Sequence, residues 1–437
     1  MTAEVAILNN SAIAIAADSA VTIGLGKKIY NSALKVFALS KTAPVGVMVY
    51  GNAGLLDVPW ETIVKMYRSQ LGAKTFGTLD AYAVDLLNFL TKNRHLFPKD
   101  LQDNWVSSNI TRFYTNIRDE LSHEIASLLA SNIPVTSQIT QEAFQHIVSA
   151  KHAQLVDREF AAKVDASWEL KFSKQIQKTT NNLQTEVFQN LPLEGNVVKQ
   201  LHEIGVWLHT RNIMSDAHTG LVVCGFGEED VYPALVTNLI DGVYADRLKY
   251  IFKADKSVHI KKDTNCSIIP FAQEDMVNTF MEGMNPSIDR FIRKWLAELF
   301  SQLPSLVPDD DLSGTPEERA AIRNKYAHTT EQLLQRFLEQ LAIHKRRQHI
   351  DPILNMVGVL PKDELAAMAE AMVSLTAFKR RMTDELETVG GPIDVAVISK
   401  GDGFVWVKRK HYFEPSLNQH FFANYFRGLS DDQTQGR

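Results

Sequence analysis

TAEVAILNNSAIAIAADSAVTIGLGKKIYNSALKVFALSKTAPVGVMVYGNAG, residues 2–54, is the stretch whose reading decides the fold. Four apolar runs lie close together in it, at Val5–Leu8, Ala12–Ala17, Leu34–Leu39 and Val45–Tyr50. Turn chemistry bounds them at Asn9-Asn10, Gly24–Gly26 and Gly51–Gly54. Such runs, apolar at odd and even positions alike, predict strands buried on both faces.

The chain of 437 residues is too long for one compact core, so one elaborated domain or two domains is expected. Apolar content of 45% and charged content of 22% are those of an ordinary globular protein. A formal net charge of −5 argues against a nucleic-acid footprint and a membrane-surface patch. Cys224 and Cys266 are too few for a disulfide framework and fit a reducing compartment. No apolar run approaches the ~20 residues that span a bilayer. Glu4, Asn9 and Asn10, with no basic segment before them, argue against a secretory signal. The expectation is a cytoplasmic protein that contacts neither membrane nor nucleic acid.

Outward from the opening stretch, Asp57, Pro59 and Glu61 mark a helix start with Asp57 as N-cap. Thr78 caps a second helix carrying Leu79, Tyr82, Leu86 and Leu90. From about Leu96 to Ser215 the pattern is helical, with Ile110, Phe113, Ile117, Leu121, Ile125 and Leu128 on one stripe and further helices over Gln141–Phe160, Trp168–Phe188 and Val197–Ile213. Strands resume at Gly220–Phe226 and Val231–Ile240 around a Gly227–Asp230 turn, then at Leu248–Lys253. Pro270 precedes an expected helix over Phe271–Met284, and Ile288–Leu303 reads as another. Thr315-Pro316-Glu317-Glu318 opens a helix expected to reach Arg347. Pro361 opens one to Arg381, with Leu365, Met368, Met372 and Leu375 inward. Gly390-Gly391-Pro392, a strand Ile393–Ser399, a turn and a strand Phe404–Lys410 follow; Asn418–Arg437 reads as a short helix and polar tail.

Particular residues resemble the proteasome β-subunits and their bacterial relatives. These are Thr2 after the initiator Met, Ala16-Ala17-Asp18-Ser19 at the family's distance from it, Lys35-Val36-Phe37 one residue later than usual, and Gly51 at the family's oxyanion position. The resemblance is specific over residues 2–70, weak at 219–240 and good at 389–410. It implies an α+β fold, a four-layer αββα N-terminal-nucleophile sandwich. Its core would be residues 2–92, 217–285 and 361–413, with helical insertions at 93–216 and 286–360 and a tail at 414–437. It implies a homo-oligomer that acts on peptide or protein substrates without a cofactor or metal, and it leaves open an ATP-dependent unfoldase as partner.

The resemblance also assigns roles. Once Met1 is removed, the Thr2 hydroxyl would be the nucleophile and its own α-amine, with an ordinary pKa near ~8, the general base. Lys35 would stabilise the alkoxide, Asp18 would fix Lys35, and Gly51 would offer a backbone N–H to the oxyanion. Each has a plainer reading: a common Met-Thr start, a solvated lysine, a strand-end cap, a permissive turn residue. Lys27 and Lys28 are rivals to Lys35, but neither directly precedes a β-branched strand.

Departures from the pattern open a second function class. The family places a Ser in a Gly-Ser-Gly turn near the Thr amine, and an Asp and a Ser ahead of the late Gly-Gly. Here Phe271 and Val389 stand in the two Ser places and Leu386 in the Asp place, with Asp384, Glu387 or Thr388 as substitutes after a register change. A catalytically inactive scaffold on the same fold, binding through its helical insertions, is the alternative. Other signals are weaker. Gly24-Leu25-Gly26 lacks the lysine of a phosphate loop. His202-Glu203 with His209 lacks metal-helix spacing, His344 and His349 read as a solvated face, Asp309–Asp311 lacks an EF-hand pattern, and Lys408-Arg409-Lys410-His411 reads as an edge-strand guard.

Overall fold

The opening strands form where the apolar runs place them. Ala3–Asn9 and Ala12–Ala17 pair antiparallel around Asn9-Asn10, with Val5 opposite Ala16 and Leu8 opposite Ile13, and every residue of both is buried. The Asn9 side chain builds the turn by accepting from the Ser11 and Ala12 amides at 3.0 and 3.2 Å. The computed structural model describes residues 2–423 apart from 24–27, 190, 192, 309–312 and 384–388. Expectations for Gly24–Gly26, Asp309–Asp311, Asp384, Glu387 and Thr388, and most of the C-terminal tail, therefore lie outside the described residues.

The chain folds as α+β with antiparallel sheets, in two compact units. The first holds the N-terminal segment through Val36, Val231–Pro233 and the chain from His259. Its sheet runs, strand by strand, Cys266–Ala272, Ala3–Asn9, Ala12–Ala17, Asp394–Ser399 and Gly403–Lys408. The helix Lys362–Arg381 lies on three of these strands, burying Leu365, Ala366, Ala369 and Val373 against Val5, Ile7, Ala14 and Ala16. Leu375, expected inward, is exposed, because the face that meets the sheet runs through Leu365, Ala369, Met372 and Thr376. The helix Pro316–Lys345 starts with a complete Thr315–Glu318 capping box. It continues through a π-helical stretch, Arg346–Ile350, into Asp351–Val357, beyond the expected end at Arg347.

Pro270 gives the clearest correction in this unit. It lies inside the strand Cys266–Ala272, not ahead of a helix, and the helix begins only at Asp275. The strand is at the sheet edge, where a residue without N–H is tolerated.

The second unit comprises Phe37–Asp230 and Ala234–Val258. Its strands run Arg247–Phe252, Ala234–Tyr244, Thr219–Gly225 and Val45–Gly51, with the short Val36–Ala38 at the edge in place of the longer strand expected over Leu34–Leu39. Val231–Pro233 precede the strand that starts at Ala234, so the connection is longer than a tight hairpin. Asp57 is not the N-cap of the next helix. Leu56 and Asp57, at φ 46° and 62°, form the turn of a small hairpin, Gly54–Leu55 with Val58–Pro59, and the helix starts at Trp60. Thr78 does cap Leu79–Lys92, accepting from the Ala81 amide.

Four helices follow: Lys99–Ala130, Ser137–Val156, Ala166–Phe188 and Gly195–Thr210. They share one core, which includes Ile110, Tyr114, Phe144, Ile147, Phe172, Phe188 and Leu201. Two histidines are structural parts of it. His202 sits between the Ser173 and Thr180 hydroxyls at 2.8 and 2.7 Å. His209 is buried with Nδ1 2.8 Å from the Gly205 carbonyl, and burial, reinforced by Lys249, pushes it down to about 4, so it is neutral near pH 7. Among the described residues no group of three His, Cys, Asp or Glu side chains could hold a metal ion. No helix among them is long and apolar enough to cross a membrane.

Candidate active site

Three of the four residues singled out by sequence meet in the first unit. Thr2 directly precedes the strand Ala3–Asn9 and is 4% exposed. Asp18 follows the neighbouring strand Ala12–Ala17 and is fully buried. Its Oδ1 accepts from the Ala3 amide at 3.1 Å, and its Oδ2 from the Ala20 and Gly390 amides at 3.2 and 2.9 Å. Lys35, 6% exposed, donates to Asp18 Oδ1 at 2.5 Å. Asp18 thus ties the N-terminal strand, the Gly390 loop and Lys35 together.

Glu4 completes the group, and sequence reasoning passes over it except as evidence against a signal peptide. It lies two residues after Thr2, on the same face of the strand because side chains alternate. The Thr2 hydroxyl donates to Glu4 Oε2 at 2.8 Å. Glu4 Oε1 lies 3.4 Å from Lys35 Nζ, an ion-pair distance without hydrogen-bond geometry. The sequence signal was a carboxylate inside an otherwise apolar run, Ala3–Leu8.

The charges do not balance within this cluster. Among the described residues, Glu4 and Asp18 pair with one ammonium, Lys35, away from water. Burial, opposed by Lys35 and reinforced by Asp18, raises the Glu4 carboxyl to about 7. A second cation close to Glu4 would lower it again.

Asp394 and Lys410 extend the site and correct the reading of the basic run. Asp394, opposite Ala17 in register, accepts from the Lys410 amide at 2.8 Å and forms an ion pair with the Lys410 ammonium. Burial holds Lys410 below the usual lysine range against the pull of Asp394, and the charges of both Lys35 and Asp18 reach it. Lys408 and Arg409 do lie at the edge, the first paired with Glu370 and the second over the Trp406 ring at 4.9 Å.

The departures stand as apolar residues. Phe271 is 1% exposed and directly opposite Glu4 in the edge strand pairing, and Val389 is buried in the core under the Lys362–Arg381 helix. Ser19 serves the loop, not the cluster, with its hydroxyl donating to the Pro392 carbonyl. Gly51 belongs to the second unit and ends the strand Val45–Gly51 at φ 84°, where a Cβ would come within 2.7 Å of the His218 carbonyl oxygen.

The chain matches no family model and no curated protein. Among solved structures it is similar to Anbu (ancestral beta-subunit) from Yersinia bercovieri, at 11% identity and a TM-score of 0.27, over 99% of this chain and 95% of that one. At that TM-score the likeness carries no argument about the fold, and none about activity.

Proposed function

We propose that the protein is a threonine-type amide hydrolase, similar to proteasome β-subunits, that cleaves peptides or proteins. The observation that carries the proposal is the buried chain from the Thr2 hydroxyl through Glu4 and Lys35 to Asp18, assembled from residues 2, 4, 18 and 35. After Met1 is removed, the Thr2 Oγ attacks the carbonyl carbon and its proton passes to the α-amine. Lys35 stabilises the alkoxide, and Asp18 holds Lys35 in place. The amine leaves with the transferred proton, and water hydrolyses the acyl-enzyme; the oxyanion role falls to the Gly51 N–H only on the resemblance.

Glu4 supplies the second polar group that Phe271 and Val389 do not. The Thr2 α-amine, neutral before it takes the hydroxyl proton, lies on the residue that already touches Glu4, within roughly 6–7 Å of its carboxyl by covalent reach. The ammonium that forms on proton transfer is balanced by Glu4, which holds it beside the Thr2 Oγ. The same proposal includes a four-layer αββα sandwich with insertions at 93–216 and 286–360, a cytoplasmic homo-oligomer, and an ATP-dependent unfoldase as the partner to seek.

Turnover by the full chain trimmed to Thr2 is the test, against a broad library of fluorogenic peptides. Cleavage is expected, and Glu4→Gln should slow it by about 10²-fold, the usual size of a proton-handling contribution. Glu4→Gln should also move the pH profile. Stability gives a second readout in the Met1-retaining protein. The folded-state pKa of about 7 lies above the ordinary 4.5, so Glu4 destabilises above pH 7 and ceases to below 4.5. Glu4→Gln should therefore melt higher than wild type at pH 8 and match it near pH 4.5. If no peptide is cleaved, the inactive scaffold is the better reading, which the apolar Phe271 and Val389 and the burial of Thr2 favour.

A further inference from the structure

A second cavity lies in the other unit. Asn109, Arg112, Phe113 and Asn116 stand at helical spacing on one face of Lys99–Ala130 and line a cavity of about 190 Å³. Its other wall is Leu208 and the loop 213–216. The volume is below the roughly 300–1,000 Å³ of drug-sized sites, so the occupant is small.

The loop wall is held by a buried ion pair. Asp241 and Lys249 are 1% and 3% exposed and 2.9 Å apart. Asp241 Oδ1 accepts from the Ser215 amide at 2.9 Å and the Ser215 hydroxyl at 2.5 Å. Lys249 donates to the Leu208 carbonyl at 2.6 Å and to the Ile213 carbonyl. Burying two charges is costly, and here they fix the backbone of the cavity wall.

The same network orients Asn109. The Tyr244 hydroxyl gives its one proton to Asp241 Oδ2, at 2.8 Å, so it can only accept from Trp105 and Asn109. Asn109 therefore turns its NH₂ to Tyr244. Its Oδ1 is buried without a partner on a residue that lines the cavity. Two exposed charges of opposite sign, Arg112 on the helix and Asp216 on the loop, line the same cavity, and neither has an ion-pair partner among the described residues.

We propose that this cavity binds a small zwitterion, an apolar α-amino acid. Its ammonium pairs with Asp216, its carboxylate pairs with Arg112, and its side chain lies against Phe113, Leu208 and Ile213. A dianion is disfavoured by Asp216 and a dication by Arg112.

Calorimetric titration of the full-length protein with L-leucine and L-methionine tests this, alongside N-acetyl-L-leucine and L-leucinamide, each lacking one charge. One of the two amino acids should bind. Each analogue, and each of the variants Arg112→Gln and Asp216→Asn, should bind about tenfold or more weakly, as expected for loss of one charge-assisted contact. Both variants alter exposed, unpaired side chains, and an unchanged melting temperature would confirm that they fold. No binding of either amino acid up to about 10 mM, beyond the useful range for a specific small site, overturns the proposal. So does equal binding of N-acetyl-L-leucine or of both variants.

Discussion

Thr2→Ala is expected to lower turnover by on the order of 10³-fold or more, because it removes a nucleophile that works as a unit with its base. Labelling by an epoxyketone should vanish with it. The structural effect should be small. The Thr2 side chain donates to Glu4, and deleting that donor costs about 1 kcal/mol. Assembly and melting should therefore stay close to wild type. Ser19→Ala and Lys28→Ala are the controls, since Ser19 bonds the Pro392 carbonyl and Lys28 is exposed. Equal loss of activity in either control would mean that the fold of the loop, not the Thr2 hydroxyl, limits the reaction.

Lys35→Ala should approach Thr2→Ala in activity and exceed it in damage to the fold. It leaves Glu4 and Asp18 facing each other without their cation, and breaking a buried pair in this way costs about 3–5 kcal/mol. The loss should depend on pH. Without Lys35 the Glu4 carboxyl loses the cation that lowers it and moves up further, so the folded state binds a proton that the unfolded state releases. The stability deficit should be greatest at pH 8 and shrink as pH falls towards 5. Adding Glu4→Gln to Lys35→Ala should recover part of the stability and none of the activity. Melting curves of the four proteins at pH 5 and pH 8 give the comparison. A deficit that does not change with pH would show that Lys35 acts by packing its stem and not by its charge.

The first hairpin was legible because two features agree: apolar runs at every position and an Asn-Asn turn whose side chain closes it. Thr2, Asp18 and Lys35 were legible as a set only through the resemblance, since spacing of 16 and 17 residues carries no geometric meaning by itself. The structure brings these three together, whereas Gly51 lies in the other unit and its oxyanion role remains a proposal. Glu4 was visible as an oddity, a carboxylate in an apolar strand, and its meaning depended on knowing that alternate residues share a face. Asp394 and Lys410 could not be paired from sequence, because the bond joins the start of one strand to the residues beyond the next. Pro270 misled because proline more often starts a helix than sits in a strand, and only the sheet order shows that this strand is an edge. Leu375 misled because an apolar stripe on a helix is wider than the face one sheet can cover.

Intact mass before and after exposure to an electrophile that bonds both the hydroxyl and the α-amine of one residue tests the central claim most directly. The protein should be expressed with its own N-terminus. The expected mass is that of the chain without Met1, followed by a gain of one probe, mapped to Thr2 and absent in Lys35→Ala. A chain that keeps Met1, or one trimmed to Thr2 that gains no probe, would contradict the account.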